Sequence, residues 1–288
     1  MTAQPKRKLM LSLSTIPPRF QFIQRTLRTL LEQTLRPDEI RLNLCRSYRR
    51  FPGELPAMPP LPDGVSVRWG DLDYGPATKV LPTVADHRGQ DVEILFCDDD
   101  QAYRPDLVET LMSRRALHPD SCICGRGYNL SERPRGHRYF TTGGHKPRAV
   151  LRRKGLSYRA LRTASLGWWK PPPRLLDGHV DILEGYGGAL VRPGFFPDEV
   201  FDIPDILWTV DDPWLSGHLT RQRVPILAVN QPVIARTHKA THKRNPLGKF
   251  VHKSVGRLEA DTRCIDYFRE TYGIWAGRRE AAVPAAGA

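Results

Sequence analysis

The sequence has no apolar run approaching the ~18 residues of a membrane-spanning helix. Its first eight residues are polar and basic, and Leu9 to Leu13 is too short for the apolar stretch of a secretory signal. Cysteine is sparse and odd in number. Cys45, Cys97, Cys122, Cys124 and Cys264 lack the spacing of a secreted disulfide framework, and Cys122-Ile-Cys124 lacks the second pair a zinc site needs. Reduced core thiols in a cytoplasmic protein are therefore expected. No Gly-x-Gly-x-x-Gly follows the first strand, which argues against a dinucleotide cofactor, and there is no internal repeat. Acid is missing over long stretches. From Arg133 to Leu176 there are twelve Lys and Arg and no Asp or Glu, and from Pro213 to Leu258 nine more, again with no acid.

The acids that exist are gathered around residues 91–109 and 177–212, against a net charge of +13 over 288 residues. Such segregation creates local fields rather than a uniformly basic body. It suits an anionic ligand held between basic loops, with a metal on an acidic ledge. A generally arginine-rich proteome would account for part of the excess.

The chain is organised around Glu93-Ile-Leu-Phe-Cys-Asp98-Asp99-Asp100. A continuous apolar run of this length predicts a strand buried on both faces, as in a parallel α/β sheet. The three acids that end it repel one another unless a cation neutralises them. Asp98 and Asp100 are two apart, so in an extended chain they face the same side. Oxygen ligands of this type suit Mg²⁺ or Mn²⁺. The alternative is a solvated acidic turn capping the helix that Arg104-Pro105-Asp106 opens.

Around that strand, Lys8 to Ser14 reads as a first strand. A helix follows from Pro17-Pro18, capped by Ser14 or Thr15, with Phe20, Ile23, Leu27, Leu30 and Leu31 on one face. Glu39 to Cys45 is a second strand, residues 51–64 a loop rich in proline, and Val65 to Trp69 a third strand. Asp71 to Lys79 leads into a short helix ending at Val84. Pro105 to Leu117 is a helix and Ser121 to Gly125 a strand, so βα alternation reaches about residue 127. Residues 128–180 form a basic excursion with a short helix at 156–166. Order returns at Asp181 to Val191, with helix and turn over Val200 to Thr220 and a strand at Val224 to Val229. The tail after Gly277 is frayed.

This succession resembles the metal-dependent glycosyltransferases of the GT-A fold. The likeness lies in the β-α-β start, the strand ending in Asp98-Asp99-Asp100, the Gly187-Gly188-Ala189 turn and the later Asp211-Asp212. It is nearest to the bacterial family-2-like branch, with Asp73-Tyr-Gly-Pro-Ala-Thr-Lys79 as a further signature, and covers roughly residues 8–240. The resemblance implies a mostly parallel, Rossmann-like α/β sheet flanked by helices. It also implies one catalytic domain over 1–277. Residues 8–127 would be its nucleotide-sugar and metal half, 128–180 a basic insertion and 181–277 its acceptor and catalytic half, with 278–288 a flexible tail.

The implied activity is transfer of a hexose-like sugar from a nucleoside-diphosphate sugar to a hydroxyl, with Mn²⁺ or Mg²⁺ as cofactor. On this resemblance Asp98 and Asp100 hold the metal and His238 adds a ligand. Ser14, Thr15, Pro17 and Arg19, with Asp98 and Asp99, lie near the nucleotide. Asp73 contacts base or ribose and Lys79 the diphosphate; a solvated helix lysine is the alternative for Lys79. Asp212, assisted by Asp211, is the catalytic base, although Asp212-Pro213 also reads as a helix start. His238 reads equally as an ordinary surface histidine. Gly187, Gly188, Trp214, Trp168 and Trp169 fall on the acceptor side. Trp168-Trp169 suits sugar stacking, a membrane interface or a loop anchor.

The expected partners are the nucleotide-sugar donor and an acceptor that is anionic or lipid-linked, with peripheral contact at the inner face of the membrane. The rivals are a basic nucleic-acid-binding protein and a metal-dependent phosphoesterase or nuclease. No helix-turn-helix, zinc-finger or aromatic RNA-binding signature accompanies the positive charge.

Overall fold

A computed structural model describes residues 7–132, 145–151, 155–169, 174–229 and 235–275. Its central sheet contains β1 (Lys8–Ser14), β2 (Glu39–Cys45), β3 (Val65–Gly70), β4 (Val92–Phe96), β5 (Cys122–Cys124), β6 (Gly178–His179), β7 (Ala189–Val191) and β8 (Ile226–Ala228). In space the order is β6-β8-β5-β7-β4-β1-β2-β3. β1 pairs in parallel with β2 and β4, β2 with β3, and β5 with β8. β7 runs antiparallel between β4 and β5, and β6 antiparallel to β8. Six of the eight strands therefore point one way. This is the mostly parallel α/β sheet, flanked by helices, that the sequence leads one to expect.

Alternation along the strands feeds two cores, one on each face. Leu9, Leu11 and Leu13 of β1 and Leu95 of β4 enter one; Ile94 and Phe96 of β4 enter the other. The helices are α1 (Gln24–Leu31), α2 (Leu81–Asp86), α3 (Leu107–Leu117), α4 (Leu156–Ala164), α5 (Asp212–Arg221), α6 (Lys239–His242) and α7 (Arg257–Tyr272). Leu27 and Leu30 of α1, with Leu107 and Leu111 of α3, close the first core. Leu81 and Val84 of α2, Trp214 and Leu215 of α5, and Cys264 and Phe268 of α7 close the second. All five cysteines are buried and free of disulfides.

Several local expectations need correction. The first helix is not capped by Ser14 or Thr15: Pro17–Phe22 is a 3-10 turn whose cap, Ile16, makes no side-chain bond, and α1 follows. The Thr15 hydroxyl instead donates to Asp99. The acids follow the fourth strand as expected, and Asp99 and Asp100 occupy a turn. α7 was not expected, although Ala260, Cys264, Ile265 and Phe268 recur at helical spacing and are its buried residues. Gly273, at φ 65°, ends it in the left-handed conformation glycine tolerates. The excursion leaves through a short antiparallel ladder, Gly127–Tyr128 against Ile182–Leu183, and β6 brings part of it back to the sheet edge. Residues 133–144, 152–154 and 170–173 of the excursion, including Arg152, Arg153 and Lys154, lie outside the described residues, as does the tail. Among the described residues no helix is long and apolar enough to cross a membrane.

β4 contains one charge, Glu93, and it is buried. Arg115 Nε of α3 donates to it at 3.0 Å and Arg192 Nε at 2.7 Å. Glu93→Gln would leave two guanidinium groups in the interior with no carboxylate. Arg115 keeps its bonds to the Ser121 and Leu190 carbonyls, so the expected loss is about 3 kcal/mol, at the lower end for a broken buried pair. Urea unfolding of the variant checks this; an unchanged midpoint would show that the triad contributes nothing.

Candidate active site

The parallel strands β1, β2 and β4 run to a common edge, and the segments that leave them enclose a cavity of about 340 Å³. Ser14 ends β1 and Thr15 and Arg19 come from the segment after it, Tyr48, Arg50 and Phe51 from that after β2, and Asp98, Asp99 and Asp100 from that after β4. Asp73 and Lys79 come from the loop and 3-10 turn before α2. Asp211 and Asp212 stand at the start of α5, His242 ends α6, Asn245 follows it, and Arg257 opens α7. Such a location, beyond the carboxyl ends of parallel strands, is where open α/β sheets bind ligands.

Each acid of the triplet has a close hydrogen-bond partner. Asp98 Oδ1 accepts from Lys79 Nζ at 2.6 Å. Asp99 accepts from Arg19 Nη1 at 2.7 Å and from Thr15 Oγ1 at 2.6 Å. Asp100 accepts from Gln101 Nε2 through Oδ1, and its Oδ2 lies 2.9 Å from His242 Nδ1. Arg19 Nη1 also lies 3.7 Å from Asp100 Oδ2, and all three carboxylates line one cavity. Lys79 and Arg19 already offset part of their charge. Burial still pushes the Asp98 carboxyl above its usual range against the pull of Lys79, and pushes Asp99 up to about 6 against Arg19.

Lys79 is the hub. Its buried Nζ also reaches Asp211 Oδ2 at 2.7 Å, and Arg257 Nη2 reaches Asp211 Oδ1 at 2.8 Å. Burial alone would raise the Asp211 pKa, but Lys79 and Arg257 outweigh it and hold the carboxyl below the ordinary range. Among the described residues no cation forms an ion pair with Asp212. Its Oδ1 accepts from Gly185 N at 2.9 Å, and burial, then the neighbouring Asp211, raise its pKa well above the usual value. Gly185 permits this closeness: a Cβ there would sit 2.5 Å from Lys79 Nζ. Asp212 is the first residue of α5 rather than its cap, and no side-chain cap bond exists there.

Of the residues expected in the site, Ser14, Thr15, Arg19, Asp73, Lys79, Asp98, Asp99, Asp100, Asp211 and Asp212 line one cavity. Lys79 is not a solvated lysine. Asp73 lines the cavity with both oxygens already accepting from the backbone N–H groups of Arg49 and Gly75, at 2.8 Å each. Pro17 is buried in its 3-10 turn and does not line the cavity. His238 contributes its backbone, donating to the Asp100 carbonyl at 2.8 Å, and His242 brings the ring to Asp100. Trp214 is a core residue that donates to the Val200 carbonyl. Gly187 and Gly188 form the turn into β7, and Trp168 and Trp169 lie in the excursion; none of the four lines the cavity. Arg257, Arg50 and Trp208 were not expected. Arg257 is 46 residues from the carboxylate it holds, and no local pattern marks it. Among the described residues no group of three or more His, Cys, Asp and Glu side chains converges as a metal cage.

No protein-family model matches the chain, and a search of curated sequences finds no match. Solved structures show a distant likeness. The crystal structure of S. aureus TarS 1–349 in complex with UDP matches at 12% identity with a TM-score of 0.41, over 79% of this chain and 59% of that one. The same fragment in complex with UDP-GlcNAc matches at 13% identity and a TM-score of 0.43, over 79% and 57%. A further S. aureus TarS structure matches at 12% identity and a TM-score of 0.43, over 79% and 36%. The chain thus spans less than two thirds of each of these three, and the matches assign no role to any of its residues.

Proposed function

We propose that the chain is a glycosyltransferase, moving a sugar from a nucleoside-diphosphate sugar to a hydroxyl acceptor with the help of Mn²⁺ or Mg²⁺. The observation that carries this reading is the charge of the cavity. Six carboxylates (Asp73, Asp98, Asp99, Asp100, Asp211 and Asp212) face the same space as Arg19, Arg50, Lys79 and Arg257, an excess of two acids. That balance suits a divalent cation, and the four basic groups suit an anionic diphosphate. Tyr48, Phe51, Trp208 and Ile16 supply apolar surface for a nucleobase or a sugar face.

Asp98 and Asp100 are hard oxygen donors of the kind that suit Mn²⁺ or Mg²⁺, and these two carboxylates would hold the ion. Sites for these ions commonly combine one or two carboxylates with substrate phosphates. When bound, the ion neutralises charge on the departing nucleoside diphosphate as a Lewis acid.

The chain's own groups divide the remaining work. Lys79 and Arg19 hold the acidic turn. Asp211, fixed by Lys79 and Arg257, stays ionised and positions its neighbour. Asp212 is the general base that takes the acceptor hydroxyl's proton, and its raised pKa brings it toward the working pH of such a base.

Thermal denaturation with UDP, GDP and ADP, each with and without Mn²⁺, tests the reading. One nucleoside diphosphate should raise the midpoint by roughly 5 °C near a hundredfold excess over its dissociation constant, and only with the metal. Equal stabilisation by inorganic phosphate, or by duplex DNA in a salt-dependent manner, would favour the phosphoesterase or nucleic-acid alternative instead.

A further inference from the structure

The helix α4 and the turn after it carry an apolar surface that no other described part of the chain covers. None of the α4 residues is buried. Leu156, Leu161, Leu166 and Trp168 are 83%, 54%, 89% and 89% exposed. At 3.6 residues per turn, Leu156, Ala160, Leu161 and Ala164 fall within an arc of about 140°, and Arg159 and Arg162 fall outside it. The turn is held by its backbone: Leu166 N–H donates to Thr163 O at 3.0 Å, Gly167 to Arg162 O at 2.8 Å and Trp168 to Ser165 O at 2.9 Å. Trp169 is tied back, its N–H on Ser165 Oγ at 3.0 Å and its ring 5.4 Å from that of Tyr158. One tryptophan of the pair stiffens the segment, and the other stays in solvent.

Apolar side chains displayed this way forgo the gain of burial, and contiguous patches of them mark interaction surfaces. Charge selects the partner. The patch sits in the middle of the stretch from Arg133 to Leu176 that has twelve Lys and Arg and no acid. An anionic lipid surface answers both features at once. Leucines enter the headgroup–acyl boundary, a tryptophan rests at the interface, and arginines remain among the phosphates. We propose that Leu156–Trp168 is a peripheral docking element for anionic membranes. None of its residues lines the catalytic cavity, so the inference stands or falls apart from the reaction assigned to that cavity.

Sedimentation of the full chain with vesicles tests it. The protein should bind phosphatidylcholine vesicles that contain phosphatidylglycerol, stay free of vesicles of phosphatidylcholine alone, and lose binding as salt is raised. The variant Leu156→Ser, Leu161→Ser, Leu166→Asn should bind the anionic vesicles about 1000-fold more weakly, at about tenfold per apolar group removed from the interface. Asparagine suits the φ of 50° at Leu166, and no buried residue is touched, so its melting midpoint should not move. Trp168→Phe should bind normally but abolish the blue shift of tryptophan emission that vesicles induce in the parent chain. Arg159→Gln with Arg162→Gln should weaken binding about fivefold for each charge removed. Failure of the parent chain to bind anionic vesicles, or unchanged binding by the triple leucine variant, would overturn the proposal.

Discussion

Asp212→Asn is expected to slow transfer by roughly 10²–10⁴-fold at saturating donor and acceptor, the usual worth of a general base. The substitution isolates the chemistry because the amide oxygen can still accept from Gly185 N, as Oδ1 does now at 2.9 Å. Lys79, Arg257 and Asp211 are untouched, so donor affinity and fold should hold. The pH profile gives a second readout. Burial, reinforced by Asp211, raises the Asp212 pKa well above the ordinary carboxylate value. A base must be deprotonated to act, so the parent rate should fall as pH drops through that elevated pKa, and the acid limb should flatten in the variant. If instead donor affinity collapses while the saturated rate is kept, Asp212 is a nucleotide ligand and the base lies elsewhere.

The parts of the site carried by local pattern were legible in the sequence. β4 and the acidic triplet announce themselves because a strand covered on both faces has to be apolar, and three acids at its end then stand out. Asp211-Asp212, at the head of a helix with Pro213 behind it, stands out in the same way. The side chains that hold these acids were not legible. Asp98 and Asp100 do line one cavity, but that Lys79 would hold the first, and His242 and Gln101 the second, could not be read from the triplet. Nor were partners contributed from afar legible. Arg257 reaches Asp211 from a helix whose start no motif marks, and His242 rather than His238 meets Asp100 because one turn of α6 separates their rings. Trp214 shows the opposite error: its place beside Asp211-Asp212 suggests the acceptor side, yet on α5 it faces the core while Asp212, two residues earlier, faces the cavity. The GT-A likeness orders the motifs along the chain and does not settle which side chains converge.

Lys79→Met should cost about 3 kcal/mol of stability at neutral pH and abolish transfer. Methionine keeps most of the volume but removes the one ammonium lying between Asp98 Oδ1 at 2.6 Å and Asp211 Oδ2 at 2.7 Å. Breaking a buried pair from one side typically costs 3–5 kcal/mol, because the remaining charge is left uncompensated. The lower figure applies here, since Asp211 retains Arg257 at 2.8 Å and the Asp98 side chain is 32% exposed. The pH dependence distinguishes lost charge pairing from lost packing. Although burial opposes it, the pull of Lys79 and Arg257 holds the Asp211 pKa below the unfolded value, near 3.9. Its stabilisation is therefore present above that pH and is lost as pH falls through the folded-state value. Lys79 is raised well above its ordinary value by Asp211 and Asp98 against the cost of burial, so its contribution persists until pH climbs through that elevated pKa. Between those limits the network contributes in full. The difference in unfolding free energy between parent and variant should thus form a plateau across neutral pH and shrink in acid, as Asp98 and Asp211 take up protons and no longer need a counter-ion. Urea unfolding at several pH values measures it. A deficit that stays constant down to strongly acid pH would mean that the lysine acts by packing its methylenes, and that the ionic network does not hold the site together.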